Sequence, residues 1–171
     1  MEIGARALTE PFTEKDVFSI IDEYYPDKDF TEGKFKVSVI IPEKTLLEKM
    51  ILLHEEFNKE PGKIRHYRMS RHLYDIYQIL KSDFGERALK DKELFKHICQ
   101  HRERYTPIKN INYQELSIDN INFLPPDKLI DLYRKDYDEM ISTMIYGDRV
   151  DFDTMIDELK KFYRTINLSS I

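Results

Sequence analysis

The sequence predicts an α+β fold, predominantly helical, on three observations. From Pro42 onward apolar residues recur at helical spacing in successive stretches, each bounded by Pro, Gly or Asn. Before Pro42 the clearest apolar patterns alternate instead, as in half-buried strands. The 41% hydrophobic and 12% aromatic content supports a packed core although 35% of residues are charged. At 171 residues the chain suits one ordinary domain. Two parts are expected within it, residues 1–41 and a compact helical unit, residues 42–171.

Glu2 to Leu8 alternates Ile3, Ala5 and Ala7 with Glu2, Gly4 and Arg6, which suits a strand. Such a strand needs neighbours to pair with. Pro11 and Thr13 punctuate. The block of Val17, Phe18, Ile20, Ile21, Tyr24 and Tyr25 fits helix or strand, with a short helix favoured. Lys34 to Ile41 alternates Phe35, Val37 and Val39 with polar residues and reads as a strand. Pro42 then suits a first helical position, and Glu43 the positive end of the helix dipole. Leu46, Leu47, Met50, Ile51, Leu53 and Phe57 form one apolar face, ended by Asn58 to Gly62.

A second helix is expected from near Arg65, burying Met69, Leu73, Ile76, Tyr77 and Leu80. Its other face gathers Arg68, Arg71, Asp75, Gln78 and Ser82. Phe84-Gly85 reads as a break, and Leu89 to Tyr105 as a helix around Leu94, Phe95, Ile98 and His101. Thr106 to Pro126 is a long irregular link, of a length that is often functional or wraps the surface. Pro125-Pro126-Asp127 launches a helix carrying Leu129, Tyr133, Tyr137, Met140, Ile141 and Met144, stopped at Gly147. The last helix is the clearest: Phe152, Met155, Ile156, Leu159, Phe162, Tyr163 and Ile166.

No apolar run approaches the roughly 20 residues needed to cross a bilayer. No leader is expected, because Met1-Glu2-Ile3 reads as the interior of a fold. Cys99 is the only cysteine, so a reducing cytoplasm is the default location. A net charge of -5 argues against a free-standing nucleic-acid binder. From Lys59 to His72, however, Lys59, Lys63, Arg65, Arg68 and Arg71 face only Glu60. That basic loop suits either a phosphate-bearing ligand or plain solvation.

Three DxD strings invite a metal reading, and all three are rejected as the catalytic metal site. Asp136 and Asp138 lie within a helix, where positions i and i+2 diverge by about 200°. Asp151 and Asp153 sit at a helix start, where Asp caps. Asp27 and Asp29 follow Pro26 in a turn. His97 and His101, one helical turn apart around Cys99, lack a third ligand and any HExxH, so a packed or solvated helix is expected. There is no Gly-rich phosphate loop and no nucleophile elbow. That leaves Lys49, Arg71 and Asp75. Lys49 borders an apolar face, where a long stem can present its ammonium to a pocket. Arg71 and Asp75 are spaced as an i,i+4 pair, in the order less useful to a helix. A surface ion pair is the commoner meaning of that spacing.

EIGARALTEP, VSVIIPEKTLLEKMILLHEE and RMSRHLYDIYQIL resemble, in order and spacing, the C-terminal part of the AbiEii/AbiGii toxin-type nucleotidyltransferases. KDYDEMISTMIYG and DFDTMIDELKKFYRTIN resemble that family's helical tail. The resemblance implies transfer of a nucleotide from an NTP with Mg²⁺, in bacterial toxin–antitoxin or phage-defence systems, on the tRNA acceptor end in some members. It implies that residues 1–41 are a remnant of the mixed-sheet catalytic core. It places the family's lysine on Lys49, with Asp75, as auxiliary catalytic residues. Nucleotide-binding residues would be Lys49, Arg71, Asp75 and Arg68. Glu2 matches a carboxylate on the last core strand, and His72 stands where the family often has Asp.

No Gly-Gly or Gly-Ser turn followed by DxD occurs in the sequence, so no metal ligand is assigned. The expectation is a truncated or split product, the helical half of the enzyme, inactive alone and binding neither Mg²⁺ nor NTP tightly by itself. Its partners would be an N-terminal catalytic fragment or an antitoxin, with tRNA a substrate only of the complete enzyme. The alternative is a non-catalytic module that docks a partner or forms a homodimer through the N-terminal strand. A stand-alone tRNA binder, resting on the Lys59–His72 cations, ranks third.

Overall fold

A computed structural model of the protein describes residues 8–168. The chain divides into two compact units, Met1–Ile41 and Pro42–Ile171. Among the described residues no helix is long and apolar enough to cross a membrane.

In the first unit, β1 (Phe12–Val17) pairs antiparallel with β2 (Phe35–Ile40), and α1 (Ile20–Tyr24) lies between them in sequence. The strand expected at Glu2–Leu8 lies almost wholly outside the described residues. β2 and the short helix follow the expectation; β1 does not, since Pro11 and Thr13 read as punctuation. The register explains why. Thr13, Lys15 and Val17 lie opposite Val39, Val37 and Phe35, while Glu14 and Asp16 share the other face with Lys36, whose Nζ is 3.5 Å from Glu14. Three charges in six residues hide the alternation. Helix α1 starts in a capping box, Asp22 N–H donating to Ser19 Oγ at 3.1 Å and Ser19 N–H to the Asp22 carboxylate at 3.0 Å. None of the described residues of this unit is buried.

The second unit is helical: α2 (Pro42–Phe57), α3 (Ser70–Leu80), α4 (Asp83–Lys90), α5 (Lys92–Tyr105), a 3₁₀ turn (Asp127–Leu129), α6 (Ile130–Met144) and α7 (Phe152–Leu168). Helix α2 packs on α3, α4 and α5, and α3 also on α6 and α7. The pair α2–α3 is therefore central. Its core is Leu46, Leu47, Met50, Ile51 and Leu53 against Leu73, Ile76, Tyr77 and Leu80, all buried. The link 106–126 stays irregular but inserts Tyr113, Ile118, Ile121 and Phe123 into that core. Tyr113 Oη donates to Glu55 at 2.7 Å, and Asn122 N–H donates to His54 Nδ1 at 2.9 Å.

Two expected boundaries are corrected. Helix α3 starts at Ser70, not near Arg65. Arg65 is drawn away to Glu56, to which its N–H donates at 2.7 Å, and Arg68 takes a left-handed φ of 57° that no helix continues through. Phe84-Gly85 is no break either, because both residues lie inside α4. Gly85 is required by proximity: a Cβ there would sit 2.6 Å from Leu80 Cα and 2.8 Å from Ile79 O. The break comes at Asp91, which caps α5 by accepting from Leu94 N–H at 2.9 Å.

Candidate functional site

Lys49 leaves α2 at the margin of its buried face, and Asp75 leaves the partly exposed side of α3. The two meet, Lys49 Nζ lying 2.7 Å from Asp75 Oδ2. The pair is partly exposed, 22% and 41% for the two side chains, so it adds no more than about 1 kcal/mol to stability. His72, nearly one turn before Asp75, completes the cluster, with Nδ1 3.4 Å from Lys49 Nζ. Burial, then the charges of Lys49 and Arg71, push the His72 imidazole down to about 4 against the opposing Asp75 carboxylate. It is neutral at pH 7. An ammonium has only protons to give, so Nδ1 accepts and the ring's hydrogen sits on Nε2.

The i,i+4 pair expected between Arg71 and Asp75 is not formed; Asp75 pairs with Lys49 instead. Neither Arg68 nor Arg71 has a carboxylate partner among the described residues. Both line a cavity of about 210 Å³ with Tyr67, Ser70, Asp136 and Met140. That arrangement depends on Asp136, a buried carboxylate on α6. It accepts from Arg68 N–H at 2.5 Å, and from Ser70 N–H and Oγ–H at 2.8 and 2.5 Å. Asp136 thus holds the left-handed Arg68 and caps the start of α3 at once.

The rest of the basic loop is largely neutralised. Lys59 and Arg65 both bind Glu56, at 2.7 and 2.8 Å, and Lys63 lies 2.7 Å from Glu60. Three of the DxD carboxylates, Asp136, Asp151 and Asp153, are occupied as caps and partners. Asp136 is buried while Asp138 is exposed. Asp151 accepts from Thr154 N–H at 2.9 Å, and Asp153 takes Arg134 bidentately at 2.6 and 2.7 Å. Cys99 is buried, its thiol pushed up to about 12 by burial and then by Glu55. No three of the described His, Cys, Asp and Glu side chains form a metal-binding group. The Mg²⁺ that a nucleotidyltransferase uses therefore finds no ligand set among them.

His54, like His72, is half-buried and neutral at pH 7, its ring lowered by partial burial. Both take up a proton on unfolding below about pH 6.5, the ordinary range of histidine. Stability is thus full above that range and falls with pH as far as about 4, where folded His72 titrates. Thermal melts between pH 7 and 4.5 should show this decline, and His72→Asn should flatten it.

Sequence reasoning noted His72 only as a departure from the family's Asp and Asp136 only as a rejected metal ligand, and gave neither a place in the site. The signal for Asp136 was present: it interrupts the apolar stripe Tyr133, Tyr137, Met140 on α6, where a lone carboxylate must be satisfied internally. His72 carries no such mark, because its partner Lys49 is distant in sequence.

No curated protein and no solved structure matches the chain. A family model described as "Nucleotidyl transferase AbiEii toxin, Type IV TA system" matches residues 1–158. With most of its length so matched, the chain belongs to the AbiEii nucleotidyl transferase toxin family.

Proposed function

We propose that residues 42–171 are the helical half that completes the nucleotide site of an AbiEii-type nucleotidyltransferase. The observation that carries this reading is the Lys49–Asp75 contact of 2.7 Å across α2 and α3, beside arginines that have no carboxylate of their own. Lys49 and Arg71 offer charge-assisted donors to the phosphates of an NTP, and Arg68 a further one from the adjoining cavity. Asp75 holds the Lys49 ammonium in place and is the auxiliary acid of the pair. Residues 1–41 are read as a remnant of the mixed-sheet core. The Mg²⁺ clamp is assigned in this reading to an N-terminal catalytic fragment, which these residues need for transfer. The family description supports toxin action opposed by an antitoxin, and the cytoplasm is the location proposed for it.

The test is calorimetric titration with ATP and GTP. Lys49→Ala should weaken binding about tenfold, the worth of one charge-assisted contact. Its melting temperature should stay nearly unchanged, because the pair is partly exposed. Equal binding by the two proteins would refute the assignment.

One observation favours a second reading, a docking module. The β1–β2 hairpin has no buried residue, and a two-stranded sheet is marginal alone. Phe35, Val37 and Val39 all stand exposed on one face. Light scattering separates the readings: a monomer that binds NTP supports the first, a dimer indifferent to NTP the second.

A further inference from the structure

The β1–β2 hairpin has two outer strand edges that no described strand covers, and the two are unlike. β1 follows Pro11 and carries Glu14, Lys15 and Asp16 in a row, which blunts its edge against pairing. β2, FKVSVI, carries a single charge, Lys36, and every one of its residues is exposed. Phe35, Val37 and Val39 share one face of it, with Val17 of β1 opposite Phe35. A two-stranded sheet is marginal in water, and further strands are what stabilise it.

Charge decides which edge accepts a second copy. Two copies related by a two-fold axis normal to the sheet pair antiparallel, and residues opposite each other share a face. For β1 against β1, an axis through Glu14 sets that residue beside itself. An axis through Lys15 sets lysine beside lysine and Glu14 beside Asp16. Like charges directly opposite are destabilising, so both registers are disfavoured. For β2 against β2, an axis through Val37 sets Phe35 beside Val39, Val37 beside Val37 and Lys36 beside Ser38. No like charges meet there, and aromatic beside β-branched is a favourable cross-strand pair. β1 against β2 is a head-to-tail contact, which leaves an edge open at each end and does not close.

We propose that the β2 edge pairs with the β2 edge of a second copy about an axis through Val37. The product is a four-stranded sheet in the order β1–β2–β2–β1, with Phe35, Val37 and Val39 of both copies on one face. Its outer edges are the two charged β1 strands, which resist further addition. The proposal rests on the docking reading above and deepens it by naming the partner.

The test on the full chain combines light scattering over a dilution series with oxidative cross-linking of single-cysteine variants. Wild type should be a dimer that dissociates on dilution. Val37→Lys sets lysine beside lysine at the axis and should weaken association about tenfold. Lys15→Gln, on the β1 residue opposite Val37, should change it by less than about twofold. Val37→Cys should cross-link to its counterpart, because directly opposed strand residues lie within disulfide reach. Lys15→Cys, about 14 Å from its counterpart across three strand spacings, should not. The native Cys99 is buried and takes no part. The cross-linking arm stands even where Val37→Lys fails to fold. A monomer at every concentration, growth past a dimer, a dimer that folded Val37→Lys leaves intact, or no cross-link through Val37→Cys would each overturn the proposal. A monomer indifferent to ATP and GTP would remove self-pairing alone and leave docking to a different partner. A monomer that binds either nucleotide would remove the docking reading as well.

Discussion

Replacing Asp136 by alanine should destabilise the protein by about 3 kcal/mol, more than any other single polar truncation around the site. The carboxylate accepts from Arg68 N–H, Ser70 N–H and Ser70 Oγ–H, and hydrogen bonds to a charged group contribute about 1.5–3 kcal/mol each before the lost desolvation cost is credited back. Truncation leaves the buried Ser70 donors unsatisfied. For a chain of this size the loss corresponds to a fall of about 6–12 °C in melting temperature. Because the same carboxylate keeps Arg68 left-handed, the arginines of the cavity should lose their placement too. Asp136→Asn retains one acceptor oxygen, so it should fall between wild type and alanine. Differential scanning calorimetry of the three proteins decides the matter, and an alanine variant melting within 2 °C of wild type would remove Asp136 from this role.

Gly85→Ala should also destabilise, by about 2–4 kcal/mol, and here the sign is informative. At an ordinary helical position the change would help by about 1 kcal/mol. At Gly85 the added methyl meets backbone, not a side chain that can turn away: Leu80 Cα at 2.6 Å, Ile79 O at 2.8 Å and Leu80 O at 2.9 Å. Relief requires α4 to move from the end of α3, in a core already closely packed. Chemical denaturation measures the difference, and an alanine variant more stable than wild type would show that the α3–α4 turn is looser than described.

The sequence was most readable where local pattern and burial agree. Helices α2, α6 and α7 carry long apolar stripes, and the Pro42 start and the cap near Asp151 are local features. Readability failed where a distant partner decides. The start of α3 is set by Asp136, far along the chain, and by the Arg65–Glu56 contact. Gly85 reads as a breaker from its backbone freedom, yet its lack of a Cβ is what α3 demands. β1 stayed hidden because neither face of its hairpin is buried, so no alternation is imposed on FTEKDV. The site was half legible: helix faces suggested Lys49, Arg71 and Asp75, whereas the true pairing of Asp75, and the presence of His72 beside it, need α2 and α3 packed together.

The most direct measurement of the central claim is residue-by-residue NMR mapping of the full chain titrated with ATP or GTP. The moving amides should cluster around Lys49 on α2 and around Arg68 to Asp75 at the start of α3. It would be contradicted by shifts gathered instead at the larger cavity of about 570 Å³ between α5 and the link, lined by Lys92, Lys96 and Tyr113, with the Lys49 region unmoved.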